Sequence, residues 1–432
     1  MIAALLFTLF ILAMLMGVPI GASLGLAGAV AIALANADAP WFGLLAVPQN
    51  FYAGLGKYPL LAIPMFVLVG SIFERSGVAS RLVNFAIAVV GRGPGMLPLV
   101  AIAVAMFMGG ISGSGPASAA AVGGVMIAAM HRAGYPASYS ASVVGAAAST
   151  DILIPPSVAF IVYSVLVPGA SVPALFAAGM IPGLLAGLAL IASAVWMARR
   201  HGMGHLESGL PRPPLLKSFL DAIWGLGAPV VILGGMRMGW FTPTEAAVVA
   251  VFYGLFVGMA VHRSIGWRDL FPILKESGEL SAVILIVVSL AGIFAYSLST
   301  LGVIDPITHA IVNSGLGEYG VLALLILLLI TVGMFLDGIS IFLIFVPLLW
   351  PIVQHYHWDP VWFGVLLTLK VALGQFTPPL AVNLMVSCRI ANVRMEQTVR
   401  WVIPMLLAMG LVMVAVIVWP NLALWLPRVL GY

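Results

Sequence analysis

Two kinds of break interrupt the apolar sequence of this chain, and the pair occurs twice, in the same order and at the same interval. The first set is the glycine-rich run from Gly109 to Pro116, then Ser149-Thr150-Asp151-Ile152-Leu153-Ile154-Pro155-Pro156-Ser157. The second is Gly333-Met334-Phe335-Leu336-Asp337-Gly338, then Gly374-Gln375-Phe376-Thr377-Pro378-Pro379. Gly110 stands as far from Pro155 as Gly333 stands from Pro378. Backbone that leaves the helix at membrane depth survives only where protein or a watery cavity satisfies its polar groups. Matched breaks in two halves of a membrane chain point to the binding site of a secondary transporter.

The solvent must be lipid. Of 432 residues, 62% are hydrophobic and only 7% are charged, whereas soluble domains are nearer a quarter charged. Uncharged stretches suited to crossing about 30 Å of hydrocarbon recur throughout. They lie at about 2–35, 58–73, 82–91 with 95–108, 117–130, 136–168, 172–198, 218–236, 243–261, 280–301, 319–350, 361–387 and 401–427. The first suits one tilted helix, or two short ones broken at Gly17-Val18-Pro19. None shows the alternation of a membrane barrel, so the expected class is an all-α polytopic membrane protein. Residues 1–16 lack a basic start and a cleavage site, and so predict a retained first helix.

The largest polar insertion, 199–217, holds Arg199, Arg200, Arg212 and Lys217 against Glu207 alone. Positive loops stay in the cytoplasm, so this reads as a cytoplasmic linker between halves 1–198 and 218–432. Both termini are nearly free of charge and fit the outer side of a bacterial inner membrane. Each half then crosses an odd number of times, which makes the halves inverted repeats. Within them, re-entrant hairpins are expected at about 95–132 and 319–353, and Pro-Pro-broken helices at about 136–168 and 361–388. Trp350, Trp358, Trp362, Trp419 and Trp425 fit an interfacial belt. Gly21-xxx-Gly25 and Gly183-xxx-Gly187 read as close-packing motifs.

The breaks carry the candidate chemistry. Carbonyls at the first tip and the hydroxyls of Ser112 and Ser114 are hard oxygen ligands suited to Na⁺, and free N–H groups at a half-helix start suit a carboxylate. Each Pro-Pro pair removes two backbone donors and unwinds its helix. Ser149, Thr150 and Ile154 on one side, and Gly374, Thr377 and Leu380 on the other, then offer oxygens; Asn383 follows one turn later. Asp151 and Asp337 are acids inside apolar runs, where a charge costs at least about 2.5–3.5 kcal/mol. Cation binding or proton carriage would justify Asp151. Asp337 fits either a helix cap or a ligand. Lys370 fits either a pair with a membrane carboxylate or a snorkelling side chain.

Other chemistry has little support. The single cysteine, Cys388, excludes an internal disulfide and reads as a small buried hydrophobe. His201, His205, His355 and His357 read as solvated loop residues. No Walker A run is present, nor a nucleophile–base pair, so no enzyme, ATP motor or cofactor is expected. The net charge of +4 is scattered over short loops and does not suggest nucleic acid.

Several of these runs resemble one family. GISGSGPA at 110–117, LIPPS at 153–157, FTPTEAA at 241–247, LAIPMFVLVG at 61–70, GMFLD at 333–337 and TPPLAVNL at 377–384 are similar to the large membrane (M) subunit of tripartite ATP-independent periplasmic (TRAP) transporters, the C4-dicarboxylate permease type within the ion-transporter superfamily. The resemblance runs along essentially the whole chain. It implies an elevator carrier with a scaffold and a moving transport domain. It implies a first Na⁺ site at Gly109, Ser112, Asp151, Ile154 and Pro155, and a second at Gly333, Gly374, Thr377 and Leu380. Substrate would sit between the tips, near Ser112, Ser114, Ser118, Ser157 and Asn383. The implied partners are a small four-helix membrane (Q) subunit, here expected as a separate chain, and a periplasmic binding protein that delivers a carboxylate-bearing substrate. Position 151 is usually glycine in the family, position 109 small and hydroxylated or Ala, and position 118 Thr or Asp. Here they are Asp151, Gly109 and Ser118, so either Asp151 supplies oxygens missing at 109 or this site carries a proton. Competing readings are an autonomous Na⁺- or H⁺-coupled organic anion carrier and a channel.

Overall fold

The computed structural model describes every residue except Met1, Arg92, Leu210, Pro211, Phe335 and Asp337, and for Pro40, Phe42 and Leu44 it describes the backbone alone. Among the described residues there are twenty α-helices and no strand. Seven helices are long and apolar enough to cross a membrane, among them Val172–Arg200, Trp267–Thr300 and Met395–Val418. The first apolar stretch is two helices, Ile2–Leu15 and Ile20–Ala35, parted at Gly17, whose φ of 84° suits glycine. A helix at Pro40–Leu55 is additional to the expected segments. Its Pro48, Gln49 and Asn50 interrupt the apolar run and hide it from a hydropathy reading.

The helices sort into two packed groups. One contains Ile2–Leu15, Ile20–Ala35, Pro40–Leu55, Ala62–Arg75, Leu215–Arg237, Pro243–Leu255 and Trp267–Thr300. Glycines allow its closest approaches: Gly21 lies against Val287, Gly25 against Leu290, and Gly28 against the backbone of Phe294. The small-residue spacing at 21–25 is thus a packing seam. FTPTEAA opens one of these helices. Thr242 Oγ1 accepts from Glu245 N at 3.3 Å, and Glu245 Oε2 accepts from Thr242 N at 2.8 Å. That reciprocal cap, with Pro243 at the first helical position, accounts for the T-P-T-E spacing.

The other group holds both breaks. Met96–Ser112 and Gly115–Arg132 form a helical hairpin with its turn at Gly113-Ser114, and Gly317–Gly333 and Gly338–His355 form another. Ala137–Ala148 and Val158–Leu166 flank the first Pro-Pro pair, and Pro360–Gly374 and Val382–Ala391 flank the second. Val172–Arg200, 29 residues long, spans roughly 43 Å at 1.5 Å per residue and serves as a ruler. Near its start, Leu175 packs on Gly364 of Pro360–Gly374. Near its end, Ala194 O accepts from Tyr139 OH of Ala137–Ala148 at 2.6 Å. The two broken helices therefore enter from opposite ends.

Each hairpin base is clamped at its own end by a carboxylate. Glu207, in the 199–217 segment, is buried and accepts from Leu97 N at 2.8 Å and from Tyr135 OH at 2.5 Å. Burial raises its pKa above the ordinary 4.5. Tyr135 stacks on Tyr139, which meets the Trp401 ring edge-on, contacts worth about 0.5–1.5 kcal/mol each beyond burial. At the other base, Trp358 Nε1 donates to Glu318 at 2.8 Å, and Trp362 Nε1 donates to Val416 O at 2.9 Å. Trp358 and Trp362 are therefore buried clamps and not part of an interfacial belt, whereas Trp419 and Trp425 are exposed.

Candidate functional site

Gly113 turns the first hairpin with φ 59°, a left-handed conformation in which it lies against the Pro156 carbonyl. Any β-carbon there would collide with that oxygen. The tip is thereby pressed onto the first Pro-Pro break. Gly110 faces Pro155 O, and Gly109 lies against Asp151 so closely that a β-carbon at 109 would stand 2.7 Å from the Asp151 Cα and 3.1 Å from its Cγ. Both Pro-Pro bonds are cis.

Asp151 is fully buried, and neither carboxylate oxygen has a hydrogen-bond partner. The Ser118 hydroxyl is within electrostatic reach of it but meets no full hydrogen-bond geometry. Ser112 Oγ stands 3.5 Å from Ser118 Oγ. Gly109, Ser112, Ser118, Asp151 and Pro155 thus converge. An orphaned buried carboxylate beside hydroxyls and carbonyls of an unwound helix is a donor set that fits a hard monovalent cation.

The second set converges as well. Gly374 meets Gly333: a β-carbon at 374 would stand 2.8 Å from Gly333 O. Thr377 Oγ1 donates to Leu373 O at 2.5 Å, which spends its only proton and leaves its lone pairs free to accept. The last carbonyls of Gly317–Gly333 and Pro360–Gly374 lie at helix C-termini, the negative end of the helix dipole. This donor set also fits Na⁺. Leu380 is exposed at the cavity edge. Asp337, the other acid singled out in the sequence, lies outside the described residues.

Between the tips is a cavity of about 470 Å³, lined by Ser112, Ser114, Gly115, Gly333, Gly374 and Gln375. The helix Gly115–Arg132 begins there, so its free N–H groups face the cavity. Two expected substrate residues also have partners within the chain. Ser157 caps the helix Val158–Leu166 by accepting from Phe160 N at 3.4 Å, and donates to Ile152 O at 2.6 Å. Asn383 is buried and donates to Gln375 Oε1 at 2.9 Å, placing Gln375 toward the cavity and Gly115. Sequence reasoning passed over Gln375 as a binding residue, although one amide inside an apolar run was a usable signal. Glu74 and Glu276 also line the cavity; Glu276 pairs with Arg75 at 2.6 Å. Lys370 is buried against Gly333 and does not snorkel. Among the described residues no group of three or more His, Cys, Asp and Glu is placed to hold a metal ion.

The comparisons with known proteins give the family. The description "Tripartite ATP-independent periplasmic transporter, DctM component" matches residues 7–422. The chain belongs to the DctM family of TRAP transporters. It is 36% identical to the C4-dicarboxylate TRAP transporter large permease protein DctM of Pseudomonas aeruginosa, covering 95% of this chain and 94% of that one. It is 33% identical to the sialic acid TRAP transporter large permease protein SiaM of Vibrio cholerae, covering 96% of each. It is 37% identical to the isethionate TRAP transporter permease protein DctMQ of Oleidesulfovibrio alaskensis over 94% of this chain, and spans 63% of that longer protein. Among solved structures it is similar to the Alcanivorax borkumensis YdaH transporter, with a TM-score of 0.60 and 14% identity over 88% of this chain and 90% of that one. That likeness is one of fold. This DctM-family chain is a multi-pass membrane permease, one component of a three-part transporter, and not an enzyme.

Proposed function

We propose that this chain is the large membrane subunit of a Na⁺-driven TRAP importer for a carboxylate-bearing small molecule. The observation that carries the reading is the meeting of two hairpin tips and two Pro-Pro breaks around one cavity, with orphaned or outward-facing oxygens at each break. Gly109, Ser112, Asp151, Ile154 and Pro155 hold one cation, and Gly333, Gly374, Thr377 and Leu380 hold the other. The substrate carboxylate rests on the N–H groups that open Gly115–Arg132, with Ser112, Ser114 and Gln375 completing its hydrogen bonds. Cations bound behind the tips lower the cost of bringing that anion into the membrane, which couples the two gradients.

The group holding both hairpins is the moving body of an elevator, and the group packed around Trp267–Thr300 is its scaffold, braced by a separate Q subunit. A periplasmic binding protein delivers the substrate. In the bacterial inner membrane the 199–217 linker faces the cytoplasm and both termini face the periplasm. Relatives named for C4-dicarboxylate, sialic acid and isethionate all handle organic anions.

Reconstitution with Q subunit and binding protein in liposomes tests this. Uptake of an organic acid should require all three proteins and an inward Na⁺ gradient. Equal uptake by this chain alone would favour an autonomous carrier, and unsaturable flux indifferent to any ion gradient would favour a channel.

A further inference from the structure

Among the described residues Lys370 is the only lysine or arginine that is fully buried, at 1% exposure. Its Nζ has no hydrogen-bond partner among the described residues. It occupies the space that a β-carbon on Gly333 would need. Gly374 follows one turn later on the same helix and presses on the Gly333 carbonyl. Lys370, Gly333 and Gly374 are therefore one contact, at the second set of oxygens.

An ammonium carries three donors and no acceptor, and burial without acceptors is costly. Along this contact the acceptors are the carbonyl of Gly333 and that of Gly374, which accepts from Thr377 N at 3.2 Å and keeps a second lone pair, at the negative ends of two helix dipoles. These are the oxygens that the Na⁺ reading assigns to the second cation. One small cage cannot hold both positive charges close together at low dielectric.

We propose that Lys370 is a tethered competitor for the second cation. In the Na⁺-free carrier its ammonium donates to the Gly333 and Gly374 carbonyls. Arrival of Na⁺ displaces it into the space beside Gly333. The unloaded cage therefore keeps a donor on its backbone carbonyls at membrane depth. The cost is a weaker hold on Na⁺. The inference rests on the Na⁺ reading of this cage.

The test is Na⁺-dependent thermal stabilisation of the purified chain in detergent, with choline holding ionic strength constant. Lys370→Met should lower the Na⁺ concentration at half-effect at least tenfold, and Lys370→Arg should keep it near the wild-type value. Lys370→Gln serves as a second neutral variant should the methionine protein misfold. In the Lys370→Met background, Thr377→Ala should abolish the gained affinity. A half-effect concentration unchanged or raised in a folded neutral variant overturns the proposal, as does a gain that survives Thr377→Ala. If wild type and variants alike respond no more to Na⁺ than to choline, the Na⁺ reading itself fails. If wild type responds to Na⁺ and the neutral variants match it, only the role given to Lys370 fails.

Discussion

Gly374→Ala isolates the contact on which the proposed second cation site depends. The new β-carbon would stand 2.8 Å from Gly333 O and 3.3 Å from its carbonyl carbon. Ordinary contact begins near 3.4 Å, so the two backbones must part by about 0.6 Å. Gly333 O is a main-chain atom and cannot swing aside as a side chain does. Cation–oxygen distances tolerate only about 0.2 Å. Overpacking of this kind costs typically about 1–3 kcal/mol. The share that falls on folding alone lowers the melting temperature without Na⁺. The share that falls on the ion-bound state raises the Na⁺ needed for half-effect, by roughly 5- to 150-fold if all of it lands there. Thermal unfolding across a Na⁺ series, against choline, separates the two. Gly124→Ala is the control, since no atom lies within 4 Å of its β-carbon; replacing that helical glycine should be neutral or stabilising by about 0.5–1 kcal/mol. A folded Gly374→Ala protein with wild-type melting temperature and wild-type Na⁺ response would refute the reasoning.

Four further outcomes are expected. Thr377→Ala removes a ligand oxygen and should weaken Na⁺ dependence of uptake about tenfold; an unchanged Na⁺ half-saturation in proteoliposomes would remove Thr377 from the site. Asp151→Asn keeps the shape beside Gly109 but takes away the charge, and should change the Na⁺ and pH dependence of uptake; wild-type behaviour across both series would make Asp151 structural. A cysteine at position 114, which lines the cavity, should react with a water-soluble maleimide in at least one state, and complete protection in every state would argue for a sealed kink. Glu207 has a raised pKa, so the folded state holds its proton more tightly than the unfolded chain. Its contribution is complete below about pH 4.5 and lost as pH rises through the folded value, and Glu207→Gln should flatten the melting temperature between pH 4 and 8.

The breaks were legible because their chemistry is local. Four glycines and a proline in eight residues cannot continue a helix, and two consecutive prolines cannot either, whatever surrounds them. In the structure the helix Met96–Ser112 stops at Gly113, and Ala137–Ala148 and Pro360–Gly374 each stop before their Pro-Pro pair. The helix Pro40–Leu55 escaped because hydropathy averages over polar residues that a half-exposed face tolerates. Ser157 escaped differently. A hydroxyl after Pro-Pro offers a ligand and a helix cap equally well, and only the position of Phe160 N, which donates to Ser157 Oγ, shows the cap. Lys370 shows the limit most plainly. A lysine four residues before a glycine in an apolar run is consistent with snorkelling until the glycine that makes room for its amine, Gly333, is found in the other hairpin.

That last point bears on why two similar breaks carry different chemistry. In the first cage a glycine at 109 makes room for a carboxylate at 151. In the second a glycine at 333 makes room for an ammonium at 370. Each is a missing side chain on a hairpin, filled from the broken helix that the tip rests on. Carbonyls lie beside each contact, and the space left by one glycine in each half is what lets opposite charges be built beside them. Among the described residues both charges lack hydrogen-bond partners, and a buried charge is tolerated only where something answers it. On the proposed reading a cation answers Asp151 directly. For Lys370 the proposed answer is the carbonyls themselves, so on that reading the two cages respond differently to the same ion.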